Sequence, residues 1–175
     1  LQACQTAVSE GEANARQVMA AADQCGLEVL KRQQQLLTAE RQGGDVSQAR
    51  SELELSRDKH RLAHAKAIGA ELRLTLYQSR LKYAQLQLQQ LNVAQGASAE
   101  GQLADIDGRL SSLATEVVIT ERRCRETDSV AAQIAAELES KWGSRFTGKK
   151  PLAPPIYRAN PGKETLPEPE EATEL

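Results

Sequence analysis

The stretch LRLTLYQSRLKYAQLQLQQL, residues 72–91, decides how this chain folds. Read in alternating steps of three and four, its apolar residues separate into two series. One holds Leu74, Tyr77, Leu81, Ala84, Leu88 and Leu91; the other holds Leu72, Leu76, Tyr83 and Leu86. Such steps return to the same side of an α-helix, so each series is a stripe. The second stripe sits two and five places into the heptad of the first, which sets the two on nearly opposite sides. A helix that is apolar on two opposing sides must be covered on both.

Both stripes continue upstream. The first runs back through Ala70, Ala67, Ala63, His60, Ser56, Leu53 and Ala49 to Val46, interrupted only by Ser56 and His60; the second runs back through Ala65, Leu62 and Leu55. Heptads sustained over this many turns indicate coiled-coil packing. Asp45-Val46-Ser47-Gln48 supplies a side-chain cap followed three residues later by Gln, so the helix is predicted over about 45–95, ending at Gly96.

The same signals predict a helix on either side of it. The first spans about 9–41, from the capping pattern Ser9-Glu10-Gly11-Glu12 to Gly43-Gly44, with a weaker stripe of Val8, Ala15, Val18, Ala22, Cys25, Val29 and Leu36. The third spans about 101–142, ending at Trp142-Gly143. Its stripe runs through Leu103, Ile106, Leu110, Leu113, Val117, Thr120, Cys124, Thr127, Ala131, Ile134 and Leu138. Glycine just past a helix end suits the left-handed position that stops it. No proline occurs before Pro151, so nothing breaks these helices, each about 50 to 75 Å long.

The expected fold is therefore all-α: three long antiparallel helices, 9–142, as a coiled-coil bundle or an open helical array. Flanking helices would cover the two sides of the middle one, or a second subunit would. Residues 1–8 read as a short spacer. Residues 143–175 carry all six prolines, and five glutamates follow Lys163 with no further basic residue. Proline excludes helix and favours extended chain, so this segment reads as a tail that reaches a partner.

Composition narrows the function. The chain is 40% apolar but only 3% aromatic, so its core is built from Leu, Ala and Val, which suits closely packed helices. A formal net charge of −2 supplies no basic field for nucleic acid. No window has the roughly 18 uninterrupted apolar residues of a membrane span.

Four features carry candidate chemistry. Leu1-Gln2-Ala3-Cys4 resembles a bacterial lipobox, with Leu, a small residue and the Cys that takes lipid, though Gln2 is unusual there. Cys25 and Cys124 fall roughly 15 Å apart along the axis of an up-down-up arrangement, which argues against a disulfide and reads them as small hydrophobes. His60 and His64 stand at i and i+4, the spacing of helical metal sites, and turn arithmetic sets Cys25 level with them. Against a Cys25–His60–His64 site stand the lack of a further ligand and the charged neighbours Asp58, Lys59 and Arg61. Pro154-Pro155-Ile156-Tyr157 fits the PPxY pattern, in which a preformed polyproline segment docks at small entropic cost and Tyr fills a pocket.

No glycine-rich phosphate loop or G-x-S-x-G elbow occurs, and Glu52, Glu54 and Asp58 interleave with arginines as a solvated helix face. The sequence thus predicts a non-enzymatic scaffold with no cofactor, packed through residues such as Leu53, Leu74, Leu81, Leu88, Leu72, Leu76, Leu86, Leu110, Leu113 and Val117. Its expected partners are other proteins, met through both faces of helix 45–95 and the tail, with homo-oligomers as one form. The favoured setting is the bacterial envelope or periplasm with Cys4 lipidated, as part of an envelope or secretion assembly. A cytosolic adaptor recruiting a WW-like domain through its tail is the alternative, and a helical metal-binding protein the third.

Overall fold

The computed structural model of the chain describes residues 1–94 and 100–147. Three long helices dominate: α1 (Gln2–Arg41), α2 (Ser47–Ala94) and α3 (Glu100–Trp142), followed by the single turn α4 (Ser144–Thr147). At 40, 48 and 43 residues they are rods of about 60, 72 and 65 Å. No strand occurs among the described residues.

The rods lie side by side and antiparallel, with α2 in the middle. It packs on α1 along one flank and on α3 along the other, while α1 and α3 do not pack on each other. The result is an open layer, and the reason lies in α2 itself. Stripes on opposing sides of one helix hold its two neighbours too far apart to meet. The first stripe faces α1: Tyr77 and Leu74 lie against Gly11, and His60 lies against Gly26. The second faces α3: Leu62 and Ala65 cluster with Ile134 and Leu138, and Leu86 with Ile106 and Leu110.

The two seams differ in texture. On the α1 side most buried residues are small, with Gly11, Ala15 and Ala22 of α1 facing a helix that buries Ala67 and Ala70; Leu53 is the one large buried side chain of that stripe. A Cβ at Gly11 would stand 2.8 Å from Tyr77 Cδ2, so glycine makes room for that ring. The α3 side is built on branched side chains, and Leu113 and Tyr83 extend its upper cluster. Every member of the third-helix stripe is buried or half-buried, Val117 and the two threonines included.

Turn chemistry closes the corners. Gly43 has φ of 66°, its N–H donates to the Glu40 carbonyl, and the Gly44 N–H donates to that of Ala39. These paired bonds are a Schellman termination of α1. Asp45 Oδ1 then accepts from the Ser47 N–H at 2.8 Å at the start of α2. Gly143, with φ of 51°, ends α3 and redirects the chain into α4, whose Phe146 packs back onto the Leu62–Leu138 cluster.

The structure departs from the sequence reading in three places. One is α4, a helical turn at Ser144–Thr147 within the stretch read as extended tail, where no proline yet occurs and Phe146 finds cover on the core. α1 starts at Gln2 instead of near Ser9, so residues 2–8 are helix and not a spacer. Ala7 and Val8 gain cover from α2, and that support overrides the local capping pattern at Ser9. Leu88, expected in the packed stripe, is 45% exposed, and Leu91 is 62% exposed. With Gly11 opposite Tyr77, one-for-one antiparallel stepping brings Gln2 opposite about Leu86. Leu88 and Leu91 therefore project past the length that α1 covers.

Candidate functional site

The edge of α1 carries the largest run of uncovered apolar side chains. Met19, Leu27, Leu30 and Leu37 are all exposed, Leu27 at 66%. At 100° per residue they lie within one sector of the helix, roughly a quarter-turn from the Gly11–Ala15–Ala22 line that meets α2. Leu27 and Leu30 stand at i and i+3, and Leu37 one heptad beyond Leu30, the spacing at which a further helix would pack. On α3, Val118, Ile119 and Val130 are exposed as well.

A groove of about 360 Å³ follows the α1–α2 seam near its middle. Val18 and Ala21 of α1 line it with Ala63, Lys59 and Lys66 of α2, and Phe146 of α4 closes on it. A second groove, lined by Ala7, Gly11, Ala70, Arg73 and Tyr77, continues along the same seam.

The densest polar cluster joins the lower ends of α2 and α3. Asp58 Oδ2 accepts hydrogen bonds from Trp142 Nε1 at 2.8 Å and from Lys141 Nζ at 2.9 Å. Lys141 also lies 4.8 Å from the centre of the Trp142 ring, with Arg145 at 5.4 Å. Burial pushes the Asp58 carboxyl up, but the hydrogen bonds from Lys141 and Trp142, with the charges of Lys141 and Arg61, outweigh it and hold the group below its ordinary value. A carboxyl with a depressed folded value stabilises the fold above its unfolded value, and that contribution is lost as pH falls through the folded one. Emission from Trp142, the sole tryptophan, is therefore expected to change in a step below the ordinary aspartate value of 3.8. Asp58→Asn should remove that step and cost about 1 kcal/mol or less, because Lys141 is largely solvated.

The cysteines are free thiols. Cys4 occupies the first turn or so of α1 and is half-buried. Cys25 is half-buried on α1 and Cys124 is buried on α3, so α2 separates them. Burial pushes the Cys124 thiol up, which keeps it protonated at neutral pH.

The expected level of Cys25 beside the histidine pair agrees with the contact of its neighbour, Gly26, with His60. A Cβ on Gly26 would stand 3.3 Å from His60 Nε2. The metal trio is nonetheless not assembled. The His60 and His64 rings are 6.2 Å apart at 54° to one another, and among the described residues no group of three or more His, Cys, Asp or Glu is placed to hold a metal ion. His60 serves instead as a half-buried filler over Gly26. Pro154, Pro155, Ile156 and Tyr157 lie outside the described residues. No described helix is long and apolar enough to cross a membrane.

Both stripes of α2 are taken up by the chain's own helices, so the two faces expected to meet partners are occupied from within. What the sequence reading missed is the ladder beside the second stripe. Arg61 pairs with Glu137, Arg73 with Asp128 and Arg80 with Glu121, and Ser79, buried on α2, donates to Glu116 at 2.9 Å. On the other seam Arg32 pairs with Glu52 and Arg50 with Glu40. Exposed pairs of this kind contribute about 0–1 kcal/mol each and serve mainly to fix register. Their signal was present as heptad spacing: Arg73 with Arg80 on one helix, Glu121 with Asp128 on the other. Comparison with family profiles, with curated proteins and with solved structures finds no match.

Proposed function

We propose that this chain is a non-enzymatic structural protein, a stiff layer of three rods that braces or spaces other proteins. The observation that carries the reading is the α1 edge, where Met19, Leu27, Leu30 and Leu37 stay exposed on a helix already seated on α2. Covering a leucine side chain is worth about 1.5–3 kcal/mol, so one partner helix along this edge would gain substantially from it. Because α2 is occupied on both sides, the partner surface in this reading is the outer edge of the layer. In its envelope form, Cys4 carries lipid and anchors one end of the α1–α2 pair.

Site-specific photo-cross-linking in the cell that makes the protein tests this. A photoreactive residue at Leu30 should give a discrete protein adduct, and one at Ser111, exposed on α3, should give far less. Equal yields at the two positions would remove the α1 edge as a docking surface and the scaffold reading with it. Incorporation of a tagged fatty acid, lost in Cys4→Ser, is the expected result for the anchor.

A further inference from the structure

Lys59, Lys66, Arg73 and Arg80 recur at intervals of one heptad along α2. The upper two are engaged, Arg73 with Asp128 and Arg80 with Glu121. The ion pairs of the described residues involve Lys31 and Lys141 but neither Lys59 nor Lys66. Both of these lysines line the α1–α2 groove, among the apolar side chains of Val18, Ala21 and Ala63. A mainly apolar trough flanked by ammonium groups that pair with no carboxylate among the described residues fits an extended acidic segment with an occasional apolar residue.

The chain itself contains such a segment. Residues 164–174 read ETLPEPEEATE, with Glu164, Glu168, Glu170, Glu171 and Glu174, Leu166, two prolines and no basic residue. α4 brings the chain to the trough, since Phe146 lines it and Thr147 ends the described residues. From Thr147 to Glu164 is 17 residues by subtraction. Seventeen residues span about 53 Å as extended polyproline and about 23 Å as a random coil, so a groove beside their own origin lies within reach in either form. The tethered segment then meets the lysines at an effective concentration on the order of millimolar, so individually weak contacts suffice. The intervening Lys149, Lys150, Arg158 and Lys163 are repelled by the same lysines, which favours the acidic end as the occupant.

We propose that residues 164–174 dock within the same chain into the α1–α2 groove, their glutamates on Lys59 and Lys66 and Leu166 beside Val18, Ala21 and Phe146. This proposal does not depend on the scaffold reading.

Zero-length carbodiimide coupling of the full chain tests it, because it joins carboxylates only to amines in direct contact. Links from 164–174 to Lys59 and Lys66 should exceed links to Lys82, an exposed lysine on the same helix, by about fivefold, the scale of two or three modest charge pairs. In a mixture of isotope-labelled and unlabelled chains they should be intrachain and unchanged on dilution. A second reading uses hydrogen exchange: Lys59→Glu with Lys66→Glu should raise exchange in 164–174 and leave α2 amides unchanged. Equal coupling to Lys82, coupling found only between chains, or tail exchange indifferent to the double substitution would each overturn the proposal.

Discussion

Replacing Leu138 by alanine is expected to lower the unfolding free energy by about 2–5 kcal/mol, the range for removing a well-packed leucine from a core. Leu138 is 2% exposed and sits with Leu62, Ala65 and Ile134, and Trp142 and Phe146 pack against that cluster. An edge helix in an open layer has a single seam, so α3 has no second core to absorb the cavity. Folded domains have a margin of only about 5–15 kcal/mol, so the loss should be obvious in chemical denaturation followed by far-ultraviolet circular dichroism. Leu91→Ala is the matched control. Its side chain projects past the end of α1, on the side of α2 that α3 does not cover, and its change should stay within about 0.5 kcal/mol. If the two substitutions cost the same, the lower α2–α3 cluster is not a core.

Much of this arrangement was legible in the sequence, because periodicity reports directly on which side of a helix is covered. The two stripes of α2 required cover on two opposing sides, though not whether the chain's own helices or a second subunit supplies it, and the α3 stripe carried through Thr120 and Cys124, both of which are buried. Gly43 and Gly143 marked helix ends correctly because positive φ is a backbone requirement that few other residues meet. The start of α1 was not legible. A capping pattern is a local preference of about 1 kcal/mol, and the cover that α2 gives Ala7 and Val8 outweighs it.

The candidate site was harder to read for a related reason. Met19, Leu27, Leu30 and Leu37 form a second, sparser series on α1, with Leu30 and Leu37 one heptad apart, and the sequence reading followed only the stripe through Ala15 and Ala22. Spacing marks a helix face but does not tell whether that face is covered. The trough beside Lys59 and Lys66 needs Phe146, whose position depends on the reversal at Gly143. His60 and His64 had metal-site spacing, but spacing along one helix fixes only two ligands. The third depends on how a neighbour's side chains are turned, and there the neighbour offers Gly26.

Ala70→Leu tests the open layer from its other seam. Ala70 is 1% exposed and borders the groove that also contains Gly11 and Tyr77, where small residues let α1 approach α2 closely. Extra methylenes in such a seam are expected to cost about 1–3 kcal/mol, because the helices must separate or the side chain must leave its rotamer. The location of the damage is the more telling result. α1 and α3 touch α2 on opposite sides and do not pack on each other, so strain on one seam reaches the other only through α2 or through Phe146, which borders both. Native-state hydrogen exchange should therefore accelerate through the middle of α1 while α3 amides around Ile134 and Leu138 keep their protection. Combined with Leu138→Ala, the two costs should add to within about 0.5 kcal/mol, as for sites that share no partners. In a closed bundle α1 would also pack on α3, and widening one seam would open the other two. Faster exchange in α3, or a combined cost well away from the sum, would mean that the three rods close on one shared core.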